Sequence, residues 1–149
     1  MSTPVDFTKI SKHAGPEESP GFLLWRVSTS WRKSIEEVLT PLNLTHPQFV
    51  ILATTGWLNR KGKPVSQADI SRQSGLDPNT TSQVLRGLQS KGLIERLAIV
   101  DERSKQPVLT KEGKKLLTKA LPAVEEADQK FFSKVKNSSS LVALLQKLA

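Results

Sequence analysis

The chain has 149 residues, 37% of them apolar and 5% aromatic with no tyrosine, so it should form one domain whose core is expected to be completed by a second subunit. Its 22 Lys and Arg against 14 Asp and Glu leave a net charge of +8, which favours polyanionic partners, nucleic acid first among them. The lack of cysteine excludes disulfides, thiolate zinc sites and thiol redox switching, and His13 and His46 lie in separate segments, so neither a metal nor any other cofactor is expected.

Residues 1–18 are polar, with Pro4, Gly15 and Pro16, and read as an arm that is disordered or tied to a partner. They lack the apolar stretch of a secretory signal, and the longest apolar run, "FVILA" at 49–53, is far too short to span a bilayer. A cytoplasmic location away from membranes is expected. Order begins at Ser19-Pro20, a capping residue followed by a residue suited to the first helical position. Leu24, Trp31, Ile35 and Val38 then recur at helical spacing, which predicts a long amphipathic helix from Phe22 to Leu39. Pro41 breaks it. Thr45 and Gln48 have the spacing of a capping box for a second helix, apolar nearly all round and therefore central, ending near Leu58. His46 falls in its first turn, which is a sufficient explanation for it without any ligand role.

The basic loop "NRKGKP" leads to Ser66 and Asp69, again a cap and its partner three residues on, opening a helix of about two turns that stops at Gly75. Asp77-Pro78 starts the next helix, in which Thr81, Val84, Leu85 and Leu88 form the buried stripe and Lys91-Gly92 the end. Two short helices across a glycine turn make a helix-turn-helix. "LIERLAIV" and "KQPVL" then suit the strands of a hairpin, with Pro107 restricting its strand to an edge. Thr110 caps a long helix that Pro122 should bend or interrupt, and "NSSS" caps a last helix with Leu141, Leu144, Leu145 and Leu148 on one stripe.

Between residues 59 and 115 lie 12 basic and 6 acidic side chains, so +6 of the net +8 falls on the helix-turn-helix and the hairpin. Opposite its apolar stripe the second short helix carries Asn79, Thr80, Ser82, Gln83 and Arg86. Asn and Gln match adenine, Arg matches guanine, and Ser or Thr accept either, although polar residues also cover any surface helix. Ser66, Gln67 and Arg72 of the first short helix are candidates for a phosphate contact at a helix N-terminus, with simple capping the other explanation for Ser66. At the hairpin tip, Arg103 suits insertion into the narrow minor groove, Lys105 adds charge, and Asp101 is placed to hold the loop in shape; a merely solvated turn is the rival reading.

The stretches "QADISRQSGLDPNTTSQVLRGLQSKGLIER" at 67–96 and "DERSKQPVLTKEGKKLL" at 101–117 resemble the multiple antibiotic resistance regulator (MarR) family of bacterial winged-helix transcription factors, the second by its D-x-R wing running into an L-T-x-x-G helix start. The resemblance spans roughly 21–149, and its specific part is 65–117. It implies a mainly α fold with a small β-wing. A winged helix-turn-helix lobe at 45–117 would be flanked by dimerisation helices at 19–44 and 118–149. It also implies a homodimer with two recognition helices in successive major grooves of a pseudopalindromic double-stranded DNA site, repressor more often than activator. Many relatives are released by small lipophilic or phenolic effectors between the dimerisation helices and the DNA-binding lobe. Trp25, Trp31 and Trp57 are candidates for lining such a pocket, or are simply core. The chain departs from the pattern in Pro107 and in Gly87, which lies inside the recognition helix for reasons of close packing or of pliability.

Two other functions compete. An enzyme is disfavoured, because Glu36-Glu37 and Glu125-Glu126-Asp128 sit on amphipathic helices beside lysines with no nucleophile nearby, and no phosphate-binding glycine loop occurs. A winged-helix module that binds protein instead of DNA is the alternative, and the joint presence of Arg86, Arg103 and Lys105 argues against it.

Overall fold

The computed structural model describes residues 1–98 and 105–149. The arm carries more local structure than its composition predicts. One turn of helix, α1 (Phe7–Ile10), is capped by Asp6, which accepts the Thr8 N–H and pairs with Lys9 at 3.3 Å, and a 3-10 turn follows at Pro16–Glu18. No residue of either is buried.

The predicted caps are all present. Ser19 accepts the Phe22 N–H and opens α2 (Pro20–Leu39), which a 3-10 turn at Thr40–Leu42 and the left-handed Asn43 bring to a close. Thr45 and Gln48 form a reciprocal capping box for α3 (His46–Asn59). Ser66 and Asp69 do the same for α4 (Gln67–Ser74), and Asp77 caps α5 (Pro78–Ser90). Each satisfies N–H groups that a helix start leaves without partners. The turn between α4 and α5 depends on Gly75, at φ 76°, and on the Ser71 hydroxyl, which donates to the Leu76 carbonyl at 2.7 Å.

Strands β1 (Ile94–Ala98) and β2 (Lys105–Leu109) pair antiparallel, with Ile94 opposite Leu109 and Arg96 opposite Pro107. In a two-stranded sheet both strands are edges, so Pro107 loses no interior hydrogen bond, and its ring is fully buried. α6 (Lys111–Phe132) starts on the Thr110 cap and runs through Pro122 as one helix, so that proline does not interrupt it. α7 (Ser138–Leu148) ends the chain.

α3 is the hub, packing on α2, α4, α5, α6 and β2. Its Ile51 and Leu52 are fully buried with Ile35 and Leu39 of α2, Ile70 of α4, Leu85 and Leu88 of α5, and Ala120 of α6. Complete burial of each such aliphatic side chain contributes about 1.5 to 3 kcal/mol. Thr55, a fully buried polar residue on this helix, donates back to the Ile51 carbonyl at 2.7 Å. α2 also joins α6 through a side-chain hydrogen bond, the Trp31 indole N–H donating to Asp128 at 2.7 Å.

Other apolar surface stays uncovered. Phe22, Leu23, Leu24, Trp25 and Val27, which go all round the first turns of α2, are exposed, as are Val142, Leu144, Leu145 and Leu148 of α7. Among the described residues no helix is long and apolar enough to cross a membrane.

Candidate DNA interface and adjoining cleft

Burial of Thr81, Leu85 and Leu88 fixes the rotation of α5 about its axis. Asn79, Gln83 and Arg86, spaced four and three residues apart, therefore form one exposed stripe on the outer face. Arg86 donates to the Ser82 hydroxyl at 3.2 Å, one turn earlier, which holds two of the predicted side chains together. Thr80 is committed to the cap: its N–H donates to Asp77 at 2.9 Å and its hydroxyl donates to the same carboxylate. These bonds, the hydroxyl's first, keep the Asp77 carboxyl below the usual carboxylate range.

α4 places Ser66 and Gln67 at its start and Arg72 in its last turn. The Ser66 hydroxyl accepts the Asp69 N–H at 3.1 Å and donates to the Asp69 carboxylate at 2.7 Å. Hydrogen bonds from the Ser66 N–H and hydroxyl hold the Asp69 carboxyl low, and Arg72, which pairs with it, acts the same way. Gln67 is engaged by a residue the sequence did not single out, since Arg96 of β1 donates to its side-chain oxygen at 2.8 Å. The hairpin is thereby pinned to the start of α4. Lys105 opens β2, while Asp101 and Arg103, the proposed wing tip and its support, lie outside the described residues.

A second long-range tie lies at the other end of α5. Lys91 Nζ donates to the Asn43 carbonyl at 2.6 Å and to Gln48 Oε1 at 2.9 Å, the oxygen that also accepts the Thr45 N–H in the capping box. Gln48 Nε2 faces Gly87, where a Cβ would stand 3.3 Å from it. A Cβ there would be tight against this amide, which supports the close-packing explanation for the glycine.

A cleft of about 890 Å³ opens between the end of α3, the hairpin and α6. Its walls include Gly56, Leu97, Leu109, Leu117 and Leu121, its rim carries Arg60, Lys63 and Lys114 against Glu95, and the buried Asn59 Oδ1 beside it has no hydrogen-bond partner among the described residues. A Cβ on Gly56 would come within 2.8 Å of Leu117, so this glycine lets the α3 backbone approach the wall.

None of the three tryptophans lines this cleft. Trp31 is held by Asp128 and meets His46 edge-on at 5.0 Å, Trp25 is 68% exposed on α2, and Trp57, 56% exposed, lies under the Arg60 guanidinium at 3.5 Å. Trp57 reaches the cleft only through Arg60. Helical spacing told on which face each indole sits and nothing about what that face meets. The Arg60 and Lys63 side of the rim was visible in the sequence as "NRKGKP", but only as loop charge. Among the described residues no group of three or more His, Asp or Glu gathers to hold a metal ion.

Residues 41–126 match the ArnR1-like winged-helix domain family. The chain is 37% identical over 139 residues, 93% of its own length and 95% of the relative's, to YdcH, an uncharacterized HTH-type transcriptional regulator of Bacillus subtilis. It is 32% identical over 116 residues to the HTH-type transcriptional repressor Rv2887 of Mycobacterium tuberculosis, covering 77% and 81% of the two chains. The solved structure of Rv2887, a MarR family protein, in complex with salicylic acid superposes with a TM-score of 0.66 at 30% identity over 88% of this chain and 96% of that one. The chain belongs to the MarR family of winged-helix transcriptional regulators. In MarR terms α4 and α5 are the helix-turn-helix, β1 and β2 the wing, and α2, α6 and α7 the flanking helices. Rv2887 has also been solved in complex with DNA, with a TM-score of 0.66 at 26% identity over 88% of this chain and 98% of that one.

Proposed function

We propose that this MarR regulator is a cytoplasmic, homodimeric repressor that reads a pseudopalindromic DNA site and is released from it by a small amphipathic ligand. The observation that carries the DNA reading is the exposed Asn79–Gln83–Arg86 stripe on a capped helix whose opposite face is locked into the core. Asn and Gln present paired donors and acceptors to adenine, and Arg86 presents a fork to guanine. Asn79, Gln83 and Arg86 carry base recognition, while Ser66, Gln67 and Arg72, with Thr80, Ser82 and Lys105, lie toward the phosphates. Arg103 enters the minor groove and Asp101 braces the wing. The uncovered apolar residues of α2 and α7 support the dimer, because exposed apolar surface of this kind marks a face that a partner covers. Half-sites then lie about one helical turn, 34 to 36 Å, apart.

The cleft supports release by a ligand. Its leucine walls suit an aromatic ring and its Arg60, Lys63 and Lys114 rim suits a carboxylate, which adds a negative charge to the lipophilic or phenolic ligands implied by the family resemblance. Solved relatives fit that chemistry, since Rv2887 is found with salicylic acid. Ligand seated between α3, the hairpin and α6 would bias the angle between the flanking helices and the DNA-binding lobe.

The deciding experiment titrates the purified protein against duplexes cut from the DNA upstream of its own coding sequence at two salt concentrations, with Arg86→Ala alongside. Tight, salt-sensitive binding to one fragment, lost in the variant, is expected. Binding to none would turn the reading toward a protein-interaction module, and equal binding to all toward a non-specific DNA binder.

A further inference from the structure

The tie between Lys91, Asn43 and Gln48 is not explained by DNA contact or by the core. Lys91 is exposed, yet its ammonium spans 48 residues of sequence to reach a backbone carbonyl and a carboxamide that is already part of the α3 capping box. Asn43, whose carbonyl it takes, is the left-handed residue that ends the 3-10 turn between α2 and α3, and the only non-glycine with positive φ among the described residues. A cation at the C-terminal end of α5 is also favoured by the helix dipole, and a hydrogen bond from a charged donor is stronger than a neutral one. Gly87 completes the arrangement by letting α5 come up to the Gln48 amide.

We propose that Lys91 is a positioning residue: by fastening the end of α5 to the α2–α3 junction it fixes the direction of the recognition helix relative to the flanking helix, and so sets the half-site spacing the regulator accepts. This rests on the DNA reading given under Proposed function. The lever is long enough to matter. α5 has 13 residues, about 20 Å at the rise of an α-helix. A tilt of about 10° about its C-terminal end therefore moves the Asn79 end by about 3.5 Å, the rise of one base step. An untied α5 would sample neighbouring registers; a tied one selects among them.

The chain has no cysteine, so two introduced ones make unique labels. Lys33→Cys on α2 and Gln89→Cys on α5, both at exposed positions outside the proposed DNA contacts, are spin-labelled in one chain and diluted into unlabelled protein. The distance between the labels is then measured without DNA, with and without Lys91→Met. The methionine keeps the apolar stem and removes the donors, and thermal melting verifies that the variant folds. A broadened or displaced distribution in Lys91→Met, restored by Lys91→Arg, is expected. An unchanged distribution overturns the proposal whatever the DNA does.

The second arm compares affinity for the selected operator with that for the same operator carrying one inserted central base pair. The wild type should lose about tenfold on insertion, the cost of a poorly fitting base pair, and Lys91→Met about threefold or less. A uniform loss across both operators, with the same ratio as the wild type, would make Lys91 a phosphate contact and overturn its positioning role. If the wild type recognises no operator, the DNA reading fails, while the label distances still decide whether Lys91 sets the direction of α5.

Discussion

Gly113, in the first turn of α6, lies so close beneath the carbonyl of Leu93 that a Cβ built on it would stand 2.0 Å from that oxygen. The approach is fastened on both sides. The Thr110 N–H donates to the same Leu93 carbonyl at 3.1 Å, and the Thr110 hydroxyl donates to the Gly92 carbonyl at 2.6 Å while accepting the Gly113 N–H at 3.0 Å. The L-T-x-x-G stretch is thus the joint where the wing ends, the recognition helix hands over to β1, and the long flanking helix begins. Its glycine is required by backbone proximity and not by an unusual φ.

Gly113→Ala should therefore be destabilising by about 1 to 3 kcal/mol, the usual range for overpacking against atoms that cannot move aside. Because the obstacle is backbone, α6 has to shift bodily, and operator affinity should fall with stability. Chemical denaturation of the variant measures this. A midpoint equal to the wild type would mean that the joint yields at no cost.

His46 supplies a pH dependence. It is 9% exposed, and burial holds its pKa below the ordinary 6.5, with the Arg32 guanidinium acting in the same direction and Glu36 and Asp128 opposing. The folded chain therefore binds this proton less readily than the unfolded chain does. Its contribution to stability is full above pH 6.5, declines as the pH falls below that value, and is gone below the folded pKa. His46→Phe keeps an aromatic ring against Trp31 and removes the titration. Denaturation midpoints at pH 8 and pH 5 should draw closer together in the variant than in the wild type, and an identical pH response would exclude His46 as the source.

Base recognition and wing insertion separate by what each loss does to specificity. Gln83→Ala should lower the preference for one operator position by about 1 to 3 kcal/mol if the carboxamide makes a paired contact with adenine. Arg103→Ala should weaken binding without unfolding the protein, and should reduce the salt dependence by about one counterion if the guanidinium neutralises one phosphate's charge. Binding to a panel of single-base operator variants at several salt concentrations distinguishes the two. A Gln83 variant that retains the full wild-type base preference would remove that residue from the reading face.

For the cleft, Arg60→Met should leave operator affinity nearly unchanged while reducing the response to salicylate, used as a probe because a solved relative holds it. The charge lost is at the rim, away from the α5 stripe. Trp57 fluorescence offers a direct readout, since Arg60 covers that ring. Equal salicylate response in the variant and the wild type would place the ligand elsewhere.

The helix starts were legible because their chemistry is local. A Thr or Ser followed three residues later by Gln or Asp carries its own hydrogen-bond partners with it, so Thr45 and Ser66 announce helices regardless of what packs against them, as Asp77 does by a carboxylate placed just before Pro78. The outward stripe of α5 was legible for the same reason, as the complement of Thr81, Leu85 and Leu88. What joins distant segments was not. Gln67 with Arg96, Lys91 with Asn43, and Trp31 with Asp128 each pair residues that sequence spacing leaves unrelated, and their partners appear only once α3 has gathered the other helices. The tryptophans show the same limit: an indole at helical spacing is equally suited to a ligand, a carboxylate or a guanidinium, and spacing alone does not choose among them.

The bare first turns of α2 have a bearing on how the cell can use this regulator. If the proposed homodimer covers Phe22 through Trp25, which are exposed on every side of one helix in the single chain, dilution acts on the fold as a mild denaturant does. Its folded population then rises with its own abundance more steeply than in direct proportion. On that reading, a repressor built this way would be nearly silent when scarce and would engage its operator sharply past a threshold number of copies, a switch-like response before any effector is involved.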